Sequence, residues 1–404
     1  MVLAAVVYWA PLTAQTLKTH YRIDFATSEA TAYSEQTGCG FEAGSPVSRG
    51  SGFVTGAGPF YFSAAVPEGN YRVTVKLGDR EGESTTTIKA ELRRLMVEKV
   101  QTVKGKIETV HFVVNVRTPA IPGGGEVRLK PRERTLEAAA WDNKLTLEFS
   151  NSAPKVTFIE IEKVEVPTLY IAGDSTSTDQ PREPFNSWGQ MLPRFFQSRI
   201  AIANHGESGE SLKGFIAEGR LAKLESLMKP GDWLFIQMGH NDQKERGEGV
   251  GAFTTYTASL KEMIAAARRH GVVPVLITSM NRLTFDPSGR ITNSLGDYPE
   301  AVRRTAKEEK VALIDLNAMS KPFYEALGPV KAHVAFAGKD TTHHSDYGSY
   351  EFARCVVQGI KDAGLPLAKY LVEVPAYDPA HPDSPDTFDI PPDPAVASEK
   401  PYGN

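Results

Sequence analysis

The chain has 404 residues, too many for one average domain, and its 41% hydrophobic and 23% charged content is ordinary for a folded protein. The formal net charge is −4, and basic residues are interspersed with acidic ones, which argues against nucleic acid or an anionic membrane as generic partners. Two cysteines, Cys39 and Cys355, lie far apart and match neither a zinc nor a redox spacing, so two separate thiols are expected.

Residues 2–12 are apolar and lead into Leu12-Thr13-Ala14-Gln15, which resembles the apolar core and small-residue cleavage site of a secretory signal. The positive leading segment is missing, and a buried first strand is the alternative. The expectation is a signal remnant over 1–15 and a secreted or periplasmic protein. No other apolar run approaches the roughly 20 residues needed to span a bilayer.

From 19 to 166 the pattern has period two. Tyr71, Val73, Val75 and Leu77 alternate with polar Arg72, Thr74 and Lys76, and Leu145, Leu147 and Phe149 repeat the alternation. Gly, Pro and Asn turns separate such runs, as at Pro67-Glu68-Gly69-Asn70. This predicts an antiparallel β-sandwich domain. Trp141 and Tyr61 are candidates for stacking on sugar, with core packing as the plainer role.

From 167 to 374 the period changes. Strand-like runs at 168–172, 200–203, 233–238, 272–278 and 311–316 alternate with helical stretches at 188–196, 211–228, 253–270, 299–310 and 347–363. Alternating strands and helices predict an α/β domain, a parallel sheet covered on both faces. Residues 375–404 are rich in Pro and Asp and predict no helix or strand, only a tail that is either disordered or extended over the surface.

Four segments fall on one edge of that sheet. Gly173-Asp174-Ser175-Thr176 follows the first strand, where ligands bind in open α/β sheets. Ser is a weak nucleophile unless a base lies within hydrogen-bond reach. Asp340-Thr341-Thr342-His343 offers one, since the spacing lets Asp340 accept from one ring nitrogen while the other faces Ser175. Gly209 lets a backbone N–H approach a ligand closely. Asn241, within Gly239-His240-Asn241-Asp242, carries an amide suited to holding an oxyanion. Each segment alone reads as a turn or a helix cap; together they meet the requirements of acyl transfer.

These blocks resemble the SGNH (GDSL-type) hydrolase family. Thr176 in place of the usual Leu, with Asn204, Gly209-Glu210-Ser211, Gly219-Arg220 and the stretch 168–180, is similar to the rhamnogalacturonan acetylesterase branch, carbohydrate esterase family 12. The resemblance implies a three-layer α/β/α, flavodoxin-like hydrolase domain behind a galactose-binding-like sandwich. It implies Ser175 as nucleophile, His343 as base and Asp340 as its orienting acid. The Ser175 and Gly209 N–H groups and the Asn241 amide would hold the oxyanion. It calls for no metal or cofactor. The expected activity is removal of acetyl groups from rhamnogalacturonan-type pectin. Acetylated xylan, another small acyl ester, or a non-catalytic carbohydrate-binding role are the alternatives. Pectic carboxylates would suit a cationic rim, for which Arg182, Lys213, Arg220, Lys244, Arg282 and His344 are candidates, with His240 beside them. Structural roles are the plainer reading for each, as they are for Asp174 and Asp242.

Overall fold

The computed structural model describes residues 17–29, 31–397 and 400–401; the stretch read as a secretory signal lies outside them. The period-two region forms β1 (His20–Asp24), β2 (Cys39–Phe41), β3 (Val47–Arg49), β4 (Val54–Gly56), β5 (Phe60–Ala65), β6 (Gly69–Gly78), β7 (Ser84–Ala90), β8 (Arg94–Thr102), β9 (Ile107–Val116), β10 (Lys144–Ala153) and β11 (Lys155–Lys163). One antiparallel sheet runs β3-β4-β11-β6-β9 with β1 added on β11; the other runs β2-β5-β10-β7-β8. The apolar phase sets the register, since a slip of one residue would turn every core side chain outward. Leu145, Leu147 and Phe149 stand opposite Ala64, Phe62 and Phe60. They share one buried cluster with Tyr71, Val73, Val75 and Ile159 of the other sheet.

The alternating region forms β12 (Thr168–Gly173), β13 (Ala201–Asn204), β14 (Trp233–Gln237), β15 (Val273–Ile277) and β16 (Ala312–Ile314). They make a parallel sheet in the order β13-β12-β14-β15-β16. Counted from β12, that is the flavodoxin-like 2-1-3-4-5 order, whose switch point lies beside the first strand. The helices are α1 (Trp188–Met191), α2 (Leu212–Ala217), α3 (Arg220–Leu227), α4 (Thr257–Arg269), α5 (Tyr298–Glu309), α6 (Leu316–Lys331) and α7 (Asp346–Asp362). Alternate residues of β12 feed two cores. Leu169 and Ile171 pack with Trp188, Phe323 and Phe352, whereas Tyr170 and Ala172 pack with Phe215, Leu224 and Ile264.

Three helical expectations change. The stretch 211–228 is two helices, because Gly219 adopts φ +79° between α2 and α3. The stretch 188–196 keeps one α-turn, then a tighter turn around Pro193 that ends at extended Phe196. Helix α6 is new; its Pro322, and the break at Gly328 (φ +75°), hide it from a periodicity reading. The tail, where described, is extended over both halves. Tyr347 Oη donates to the Asp383 carbonyl (2.8 Å), Lys89 Nζ to that of Pro391 (2.9 Å), and Tyr61 Oη to Asp393 (3.3 Å). Cys39 and Cys355 are separate free thiols, Cys355 buried on α7. Among the described residues no helix is long and apolar enough to cross a membrane.

The seam between the antiparallel sheets and the parallel sheet is charged. Arg94 meets Asp179 at 2.7 Å, with both side chains buried. Lys223 meets Glu68 at 2.7 Å, and Arg220 meets Glu133 at 2.6 Å. Trp141 lies in this seam, 4.4 Å from the Arg117 guanidinium and edge-on to His205, so it packs internally and offers no face to a sugar. Tyr61 is likewise engaged, by the tail.

Candidate active site

The end of β12 places the serine. Gly173 is required there, since a Cβ would lie 1.9 Å from Ser177 Oγ. The turn that follows is held by Asp174, whose Oδ1 accepts from the Thr176 N–H (3.0 Å) and Thr176 Oγ1 (2.7 Å). Gln180 Nε2 donates to the Ser175 carbonyl at 2.7 Å and to Ser208 Oγ at 3.2 Å, tying the turn to the loop after β13.

Ahead of α7, a second turn brings Asp340 and His343 to the serine. Asp340 Oδ1 accepts from the backbone N–H groups of Thr342 (2.7 Å) and His343 (3.0 Å). Its Oδ2 lies 3.0 Å from His343 Nδ1, and His343 Nε2 lies 2.8 Å from Ser175 Oγ. A carboxylate only accepts, so His343 Nδ1 carries the proton and Nε2 is free to accept from the serine hydroxyl. Burial works to raise the Asp340 carboxyl, but the His343 ring and the two backbone donors hold it well below the usual carboxylate range. All three side chains are nearly closed off from solvent. The arrangement can move a proton from Ser175 to His343 while Asp340 steadies the resulting cation.

Gly209 sits in the loop after β13 with φ +79°. Among the described residues, neither its N–H nor that of Ser175 meets a hydrogen-bond acceptor in the protein. Asn241 Nδ2 donates one hydrogen to the Glu210 carbonyl at 3.0 Å, which docks it beside Gly209 and leaves its second hydrogen available. Lys244 Nζ donates to the Asn241 side-chain oxygen Oδ1 at 3.3 Å. Asp242 accepts from the Leu212 N–H at 2.8 Å, and burial raises its carboxyl to about 8.

Several rim candidates are instead internal. His240 places Nδ1 3.3 Å from Asp174 Oδ2 and Nε2 3.1 Å from the Met280 carbonyl, so neither nitrogen is left for a substrate. His344 is buried among Phe336 and Phe352, with Nε2 2.8 Å from Tyr324 Oη. Arg220 is fully buried on Glu133. Arg282 links the His240 carbonyl to Thr342 Oγ1. Of the cationic candidates, Lys213 is exposed on α2, and Arg182 lines a cavity of about 470 Å³ together with Lys130, Arg132, Gln180 and Phe185. Phe185 stands edge-on to His343 at 5.9 Å, so this cavity adjoins the Ser175 cluster.

Burial pushes the His344 imidazole from 6.5 down to about 3. The folded state therefore binds fewer protons than the unfolded chain between these values, and stability is lost as pH falls through that window. His344→Gln keeps a partner for Tyr324 and removes the titration. Urea-unfolding free energies of the variant should fall less steeply from about pH 7 to 4, by up to about one proton in slope. Equal slopes would remove His344 from the acid response.

Sequence reasoning missed the contribution of the antiparallel half. Arg93, at φ +59° in the turn between β7 and β8, donates to the carbonyls of Phe185 (2.9 Å) and Gln180 (3.4 Å) and pairs with Asp346 (3.3 Å) and Glu183. Lys130 and Arg132 reach the Gly209 loop from between β9 and β10. Only Gln180, inside the stretch 168–180, had a local signal. Glu133, Glu137 and Glu207 bring carboxylate oxygens within 4.8 Å of one another, but Glu133 is taken by Arg220 and Glu207 by Arg132.

A profile of the GDSL-like Lipase/Acylhydrolase family matches residues 171–349. The chain is 39% identical over 219 residues to the rhamnogalacturonan acetylesterase RhgT of Bacillus subtilis (strain 168), a match spanning 50% of this chain and 94% of that protein. The chain belongs to the GDSL-like lipase/acylhydrolase family. It shares 39% identity over 217 residues with a second Bacillus subtilis (strain 168) protein, named "Probable rhamnogalacturonan acetylesterase YesY", across 51% of this chain and 97% of that one. It is 27% identical over 311 residues to the uncharacterized esterase YxiM of the same organism, across 75% of each. This GDSL-family chain is thus an esterase, and the matched residues 171–349 contain Ser175, Gly209, Asn241, Asp340 and His343.

Proposed function

We propose that this esterase is a secreted carbohydrate O-acetylesterase that removes acetyl groups from rhamnogalacturonan-type pectin by a Ser-His-Asp mechanism. The observation that carries the chemistry is the 2.8 Å approach of His343 Nε2 to Ser175 Oγ, with Asp340 on the other ring nitrogen at 3.0 Å. Ser175 Oγ attacks the acetyl carbonyl as His343 takes its proton. The Ser175 and Gly209 N–H groups and the Asn241 amide receive the oxyanion. Collapse expels the sugar alkoxide, which takes the proton from His343. Water, activated by the same ring, then releases acetate from Ser175. The names of the two relatives at 39% identity, and Arg182 beside the cavity, support an anionic pectic substrate. Secretion rests on the apolar stretch 2–12. The same reading takes 19–166 as a β-sandwich domain and 167–374 as a three-layer α/β/α hydrolase domain.

The test is acetate release from acetylated rhamnogalacturonan, acetylated xylan and p-nitrophenyl acetate, with Ser175→Ala alongside. The expected result is release from the pectic polymer that vanishes in the variant. Release from the small ester alone would discard the pectic substrate, and unchanged release by Ser175→Ala would discard the nucleophile.

A further inference from the structure

The Gly209 N–H belongs to the peptide group whose carbonyl is that of Ser208. That carbonyl is gripped from the antiparallel half. Arg132 Nη2 donates to it at 2.8 Å and Lys130 Nζ at 3.1 Å, which accounts for both of its lone pairs. The same two cations pair with the carboxylates on either side of this peptide, Arg132 with Glu207 and Lys130 with Glu210. Both carboxylates are buried, whereas the two cations are about one-fifth exposed. The Ser208 hydroxyl is fixed separately, through Gln180, to the Ser175 carbonyl.

We infer that Lys130 and Arg132 are positioning residues of the esterase reaction, aligning and polarising the Ser208–Gly209 peptide so that its N–H is a stronger oxyanion donor. The inference rests on the Ser175 mechanism proposed above. In a trans peptide the N–H points opposite to the C=O, so two cationic donors on the oxygen fix the direction of the hydrogen. Charge-assisted bonds are the strong ones, and hydrogen bonds that share a peptide polarise one another. The positive charge thus lies on the carbonyl side of this peptide, opposite its N–H. Both residues fall outside the matched segment 171–349, so the antiparallel half completes the hydrolytic site from elsewhere in the chain.

The experiment compares wild type with the paired variants Arg132→Met/Glu207→Gln and Lys130→Met/Glu210→Gln. Glu137→Gln is added to the first because Arg132 also meets buried Glu137 at 3.6 Å, so that no buried carboxylate loses its cation. Arg132→Lys is the conservative control. Substrate is p-nitrophenyl acetate, and a boronic acid that forms a tetrahedral adduct on Ser175 probes the oxyanion site. Weakening a donor should cost less than the 10²–10³ of deleting one, so kcat should fall roughly 10- to 100-fold, with KM within about twofold. Boronate affinity should fall in step with kcat, and Arg132→Lys should recover part of the loss. A merely displaced loop would raise KM and lower kcat with boronate affinity out of step, which overturns the proposal. So does kcat within about twofold of wild type in paired variants with native near-ultraviolet dichroism. If one pair fails to fold, Arg132→Lys and the other pair carry the test. Ser175→Ala, measured in parallel, separates the two readings. Activity surviving there sinks the mechanism itself, whereas activity lost there but intact in the paired variants sinks only the role of the cations.

Discussion

Asp340→Asn is expected to lower kcat by about 10⁴-fold while leaving the fold intact. The reason lies in which way the amide must face. Asp340 Oδ1 accepts from two backbone donors, Thr342 N–H at 2.7 Å and His343 N–H at 3.0 Å. An asparagine keeps its oxygen on those donors, because turning the NH2 toward them would set donor against donor. The NH2 is then left as a donor against His343 Nδ1, where Asp340 Oδ2 is the acceptor at 3.0 Å in the native chain. His343 responds by moving its proton to Nε2, and that nitrogen can no longer accept from Ser175. Steady-state acetate release, with thermal melts as a folding control, checks this. A loss of under about tenfold would mean that Asp340 does not set the tautomer.

Arg220→Met is expected to destabilise the protein by about 3–5 kcal/mol, measured as the urea-unfolding free energy. Both Arg220 and Glu133 are fully buried, joined by two bonds of 3.1 and 2.6 Å, and Arg220 Nε also reaches Glu218 at 3.1 Å. Burial works to raise the Glu133 carboxyl, but Arg220 and the Lys130 N–H keep it below its ordinary value. Deleting the cation leaves a buried carboxylate without its counter-charge. The double change Arg220→Met/Glu133→Leu removes both charges and should recover much of the loss. Equal destabilisation by the single and double changes would show that packing rather than charge governs this position.

What could be read from the sequence was local. Gly173-Asp174-Ser175 and Asp340–His343 carry their geometry within four residues, and the parallel sheet then determines that they meet. The strands of the antiparallel half were legible because their apolar residues keep period two from Tyr71 to Leu77 and from Leu145 to Phe149. Helix α6 was not, since two prolines and a left-handed Gly328 interrupt its pattern. For His240, His344 and Arg220 a structural role is the plainer reading of the sequence, and in the fold their partners are Asp174, Tyr324 and Glu133. Lys130, Arg132 and Arg93 carry no motif. Their partners around the site lie about 75 to 250 residues away, and only folding reveals them.

The charged seam has a consequence for how such proteins can be recombined. Half of this chain suffices to span nearly all of the relatives at 39% identity. Exchanging the leading half for an unrelated one would nonetheless strand Arg220, Lys223, Asp179 and Asp346 opposite surfaces that lack Glu133, Glu68, Arg94 and Arg93. A graft must therefore carry both members of every cross-seam pair. These pairs should make the two halves melt together, and a chimaera that ignores them should melt in two steps where the intact chain melts in one.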